Sequence, residues 1–175
     1  VSVPGGHAAA LASAEVPASS PSLPPDIRMS QAGEDFGASD GGSSLAGAPE
    51  ASTTWYFAAG AVGEGRETVI SVDNPGDAQA NVNVVFYTEA GQTAGPSFAV
   101  GPRSSSAFGL SQYLSGAEAG AKVTSSQPVV ARRTIYGEGF IETNLGAASP
   151  STKLYFAEGW VGPGWNEDIC VINPG

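Results

Sequence analysis

The side chains able to do acid–base or nucleophilic chemistry are few and scattered. The 175-residue chain has one histidine, His7, and one cysteine, Cys170. His7 lies in a stretch of Ala, Ser, Gly and Pro, so the rest of the chain can assemble neither a Ser-His-Asp nor a Cys-His constellation, nor a zinc site of the ordinary kind. Cys170 has no intrachain disulfide partner. Between Ile169 and Val171 it is expected to be a small buried hydrophobe, with an intermolecular bridge as the alternative. Glu64, Glu67, Asp73, Asp77, Glu167 and Asp168 offer oxygen ligands, but not the dense alternation of a calcium loop, so neither metal nor other cofactor is expected. Glycoside hydrolysis needs two carboxylates at a set separation, and no spacing here favours such a pair. The chain reads as a non-enzyme.

Binding chemistry is better represented. Trp160 and Trp165 punctuate the Gly-rich loop "EGWVGPGW", where an exposed indole makes an interface or ligand anchor. Trp55, Tyr56 and Phe57 are consecutive, so on a strand they divide between core and sheet surface. Trp55 and Tyr56 are kept as candidate contacts, together with Tyr155, Phe156, Ile169 and Val171 near the end of the chain. Arg132 and Arg133 are also consecutive: one is expected in solvent, the other paired with a carboxylate.

The elements that would position these residues are strands. "TTWYFAAG" and "ETVISVDN" are short apolar runs, the second alternating Val69, Ser71 and Asp73 with Ile70 and Val72. "NPGD" (Asn74–Asp77) has Pro and Gly at the central positions of a type II turn. In "ANVNVVFYTEAG", Val82, Val84 and Phe86 face one way and Asn81, Asn83, Val85 and Tyr87 the other. "EAGQT" reads as a hairpin turn. "PSFAVGPRS" and "SAFGLSQYL" give two further strands. "AGAKVTSSQPVVARRTIYG" gives another pair, with Pro128 at a strand start or edge, and "GFIETNLGAAS" one more. "SQYLSGAEAGA" supports one helical turn at most, given its glycines. Seven or eight strands at this spacing predict an all-β fold, an immunoglobulin-like antiparallel β-sandwich, with a jelly roll or small barrel as alternatives.

Composition sets the frame around them. Seventeen acidic residues oppose seven basic ones, a net charge of −10. Nucleic-acid binding needs a basic footprint, and adhesion to anionic membranes does too, so neither partner is expected. No run approaches the roughly 18 apolar residues of a membrane helix. Residues 1–52 are dominated by Ala, Ser, Gly and Pro and bury too little apolar surface to fold alone. They read as a long irregular linker or docking arm, about 40 Å root-mean-square as a free coil. Their first twenty residues lack the basic and apolar regions of a signal peptide, which is expected to have been removed if one existed.

The chain also says one thing twice. "TWYFAAGAVGEGRETVISVDNPG" (Thr54–Gly76) recurs as "KLYFAEGWVGPGWNEDICVINPG" (Lys153–Gly175), 99 residues later. Between positions 55–76 and 154–175 there are twelve identities in twenty-two, without a gap. These include Tyr56/Tyr155, Phe57/Phe156, Ile70/Ile169, Val72/Val171 and the Asn-Pro-Gly that closes each copy. Repetition at a fixed period marks a tandem array. The expected organisation is an arm (1–52), a module (53–150) and the first strands of a second, partial repeat unit (151–175), with 77–175 as an alternative frame for the module.

The aromatic-Tyr-Phe-Ala-Glu-Gly and Asn-Pro-Gly motifs, together with "SSQPVVARRTIYG" and "ASPSTKLYFAEG", resemble the "WYFAEG" tandem repeat of large secreted bacterial surface proteins. The resemblance covers residues 53–175. It implies an immunoglobulin-like module on exported proteins, at the cell surface, and no catalytic residues. Ala59, where the motif has Glu, and Leu154, where it has Trp, depart from it.

The function expected is that of a structural subunit or module of an extracellular assembly: a filament, pilus-like fibre or surface layer. It would self-assemble with identical subunits or tandem modules, by strand addition at its chain ends. The alternatives are an adhesion module that binds glycans and an accessory domain of a secreted hydrolase.

Overall fold

The computed structural model describes residues 43, 45–155, 159, 161–163 and 169–175. It is all-β. Seven antiparallel strands form a sheet curled into a half-barrel, with which the expected immunoglobulin-like sandwich is compatible. The strands are β1 (Ser52–Phe57), β2 (Glu67–Asn74), β3 (Ala80–Thr88), β4 (Gly91–Val100), β5 (Ser104–Gly109), β6 (Gly120–Gly137) and β7 (Phe140–Leu145). A single 3₁₀ turn, Leu110–Gln112, follows β5.

The long strand β6 organises everything else. Its first half pairs with β3 on one edge and β1 on the other. Its second half pairs with β2 and β7. β4 extends the first group beyond β3, and β5 extends the second beyond β2. The two strands expected from "AGAKVTSSQPVVARRTIYG" are therefore one strand of 18 residues. Pro128 is tolerated in mid-strand because it lies at the crossover: the β3 ladder ends at Ser125 and the β2 ladder begins at Val130. No neighbour asks Pro128 for the N–H it lacks, and strands that switch between packed layers bend at such a point.

Alternation places the core. Val82, Val84 and Phe86 are buried on β3 while Asn81 and Asn83 are exposed, as the period-two pattern requires. They meet Trp55 and Phe57 from β1, Ile70 and Val72 from β2, and Ala121, Val123, Val129 and Ala131 from β6 in one cluster. Phe108 packs edge-on to Phe98 at 5.7 Å and tilted to Phe86 at 6.5 Å. β2 is buried along almost its whole length rather than on one face only, and β5 and β6 pair with its two edges.

The Asn-Pro-Gly turn departs from the expected type II geometry. Gly76 does not adopt the positive φ that such a turn requires at its second central residue. Instead the buried Asn74 forms an Asx turn, its Oδ1 accepting from Gly76 N at 3.0 Å. Its Nδ2 donates to Ala78 O at 2.8 Å, Gly101 O at 2.9 Å and Val100 O at 3.2 Å. The residue thus ties the end of β2 to the end of β4.

Candidate functional site

The sequence candidates separate into core, surface and tail. Trp55, kept as a candidate contact, lies in the core. It is buried, and its Nε1 donates to Val129 O at 2.8 Å. An indole enclosed by its own module, with its one donor satisfied, offers no face to a ligand. Tyr56 points to the opposite side, where Lys122 Nζ lies 5.6 Å from the ring centroid. Its backbone exchanges hydrogen bonds with Ala147 at 2.8 and 2.9 Å. Phe156, Trp160 and Trp165 lie outside the described residues.

Tyr155, Ile169 and Val171 are exposed, and the comparison between the two copies is direct. Ile70 is 1% exposed and its counterpart Ile169 61%; Val72 is 0% exposed and Val171 75%. The first copy forms β1 and β2, whereas the described residues of the second contain no strand. Among the described residues of 151–175, no strand forms within this chain. The physical reason is on β6, whose two edges are already taken in both halves by β1, β3, β2 and β7. The second copy finds no vacant place on that ladder. Cys170, expected to be buried, is exposed with it. Described residues of the tail touch the module. Tyr87 Oη donates to Pro174 O at 3.4 Å, and Ile172 lies so near Gly120 that a Cβ there would collide with it.

A cleft of about 1110 Å³ opens between that tail and the module, bordered by Ala58–Ala61, Gly120, Arg133, Phe140 and Ile169–Asn173. Arg133 is its one buried charge, 6% exposed. Nη1 donates to Ala59 O at 2.5 Å and Nη2 to Glu142 Oε1 at 2.5 Å. Glu142 also accepts from Asn144 Nδ2. Among the described residues the buried guanidinium Nε has no hydrogen-bond partner. Arg132, next along β6, is exposed, so the two arginines divide as their adjacency requires. At the rim Arg66 pairs with Glu118 at 3.3 Å and Glu64 at 3.7 Å. Glu142 was legible in principle: a hairpin centred between Glu138 and Gly139 puts Arg133 and Glu142 on the same face, one step apart diagonally.

Among the described residues the candidate carboxylates do not converge, and Glu167 and Asp168 lie outside them. Glu67 is buried and accepts from Thr68 N at 2.9 Å and Ser111 N at 3.3 Å. Asp73 accepts from Ser105 Oγ. Asp77 holds the exposed Arg103 at 2.7 Å, and the hydrogen bond and charge of that carboxylate raise the Arg103 pKa. Among the described residues no group of three His, Cys, Asp or Glu is placed to hold a metal, and no helix is long and apolar enough to cross a membrane.

The chain belongs to a family of unknown function (DUF5719), whose pattern matches residues 3–135. That span takes in most of the N-terminal arm and runs through most of β6, leaving the second copy outside. No curated protein matches the chain. Among solved structures it is similar to Thermotoga maritima 1070, at 17% identity and a TM-score of 0.52, covering 57% of this chain and 96% of that one. A looser likeness is to the Anabaena sensory rhodopsin transducer, at 18% identity and a TM-score of 0.44, covering 48% of this chain and 83% of that one. The first likeness is one of fold alone.

Proposed function

We propose that this member of a family without an assigned activity is a non-enzymatic structural module of an extracellular bacterial assembly, joined to neighbouring modules through the second copy of its repeat. The observation that carries this reading is the contrast between the copies: one pattern of side chains is core at Ile70 and Val72 and solvent-exposed at Ile169 and Val171. Leu154, Tyr155 and Val161 are exposed as well. Burying an Ile or Leu side chain is worth about 1.5–3 kcal/mol, so a segment that leaves five large apolar groups in water gains by meeting a sheet elsewhere. Such a patch marks an interaction surface, and strand addition is the mode that suits a segment whose twin is a strand pair.

The net charge of −10 keeps free subunits apart and makes association depend on salt. The glycan-binding alternative loses Trp55 to the core. The test is sedimentation of the full chain over a hundredfold concentration range, beside a variant carrying Ile169→Asp and Val171→Asp. Association by the parent and not by the variant supports the reading. A parent that stays monomeric at the highest concentration and at raised salt would sink it.

A further inference from the structure

The end of the tail has two sides. Ile172 and Pro174 are half-buried, while Val171, Asn173 and Gly175 are exposed, the alternation of an extended chain lying on a surface. Both half-buried residues meet the module on one rung of a ladder. Ile172 lies against Gly120, the first residue of β6, and Tyr87, the partner of Gly120 on β3, donates from Oη to Pro174 O at 3.4 Å. The rung can receive them because residue 120 is a glycine: a Cβ there would strike Ile172 and come within 2.9 Å of Phe57 O.

The two copies differ on this side. At the 99-residue offset Ile172 corresponds to Asp73, whose carboxylate accepts from Ser105 Oγ on β5, and Cys170 corresponds to Ser71. The second copy thus has an unbroken apolar run, Ile169 to Ile172, where the first alternates apolar with polar. A run that is apolar on both sides suits a segment covered on both. Seating on its own module covers little of it. Leu154, Tyr155, Val161, Ile169 and Val171 stay exposed, and the cleft of about 1110 Å³ remains between tail and module. Two half-buried residues and one long hydrogen bond hold the tail weakly. An identical tail on another chain makes the same contacts, and exchange of an identical element between protomers is a low-cost route to association.

We propose that the Gly120–Tyr87 rung is the receiving site for residues 172–174 of the second copy: the chain's own in the free state, and those of a second copy of this chain in the assembly. The partner rests on the proposed assembly; the seat in the free chain does not. The rung gives the docking a fixed point, which β6 itself does not supply because its edges are filled in every copy.

Cys170, the chain's one cysteine, is exposed and takes a nitroxide label without substitution. In dilute nitrogen-15 chain carrying that label, paramagnetic broadening should be strongest at the amides of Tyr87, Thr88 and Gly120. Ile172→Asp should abolish that maximum and leave the amide shifts of the rest of the module in place. For the partner, nitroxide-labelled chain without nitrogen-15 is mixed with nitrogen-15 Cys170→Ser chain. Broadening at the same amides should be absent in the dilute mixture and appear once it is concentrated until it sediments as an assembly. No such maximum in the dilute chain, or one that survives Ile172→Asp, overturns the seat; so does loss of the module's own shifts in Ile172→Asp, which would make that residue part of the core. A maximum elsewhere in the associated mixture, or none, overturns the exchange. A chain that never associates removes the partner together with the proposed assembly and leaves the seat in the free chain standing.

Discussion

Matched alanine substitutions in the two copies should give opposite results. Ile70 is 1% exposed inside the cluster that joins β1, β2, β3 and β6, whereas Ile169 is 61% exposed. Truncating a buried Ile to Ala typically costs 2–5 kcal/mol through lost transfer energy and the cavity left behind. A site on β2, flanked by the β5 and β6 backbones, cannot collapse easily, so about 3 kcal/mol is expected for Ile70→Ala. For a module of this size each kcal/mol moves Tm by about 4–8 °C, giving a fall of about 12–24 °C. Ile169→Ala, at a surface position, should stay within about 0.5 kcal/mol. The assay is thermal or urea unfolding of the dilute full chain, with Val72→Ala and Val171→Ala as a second matched pair. Should Ile169→Ala destabilise as much as Ile70→Ala, the second copy is core like the first, and the tail is not available for docking.

Three further outcomes follow from single contacts. Asn74→Ala removes the donor shared by Ala78, Val100 and Gly101, and should cost about 2 kcal/mol by leaving carbonyls at the ends of β2 and β4 short of a partner; Asn173→Ala should cost nothing measurable by the same unfolding assay. Trp55→Phe keeps the ring in the core but loses the bond to Val129 O, and should lower stability by about 1–2 kcal/mol without altering any glycan response of Trp fluorescence. Cys170 is exposed, so it should react with a thiol reagent in the folded chain as fast as in urea, and unreduced samples should accumulate disulfide-linked dimers.

Much of the fold was legible because its signals are local. The bounds of β2 follow from the apolar run between Gly65 and the Asn-Pro-Gly turn, and the faces of β3 follow from alternation alone. The division of Arg132 and Arg133 needs only that they be adjacent on a strand. What could not be read depends on distant partners. Pro128 looks like a strand boundary because proline usually is one; its place at the crossover of β6 depends on where the ladders of β2 and β3 stop. Asn74 looks like a turn residue, and its bonds to Val100 and Gly101 exist only because β4 returns beside it. Trp55 and Tyr56 were equally aromatic candidates until the sheet assigned them opposite sides. The two copies share twelve of twenty-two residues yet differ in environment at Ile70/Ile169 and Val72/Val171, because a strand pair needs an open ladder and β6 offers only one set.

The claim that the second copy is an unfilled docking segment is tested most directly by hydrogen exchange read residue by residue, on dilute chain and on chain concentrated until it associates. Backbone amides of β1 and β2 should be protected in both samples. Those of 153–175 should exchange at nearly unfolded rates when dilute and gain protection on association. Equal protection of both copies in the dilute monomer, or no change in 153–175 on association, would contradict it.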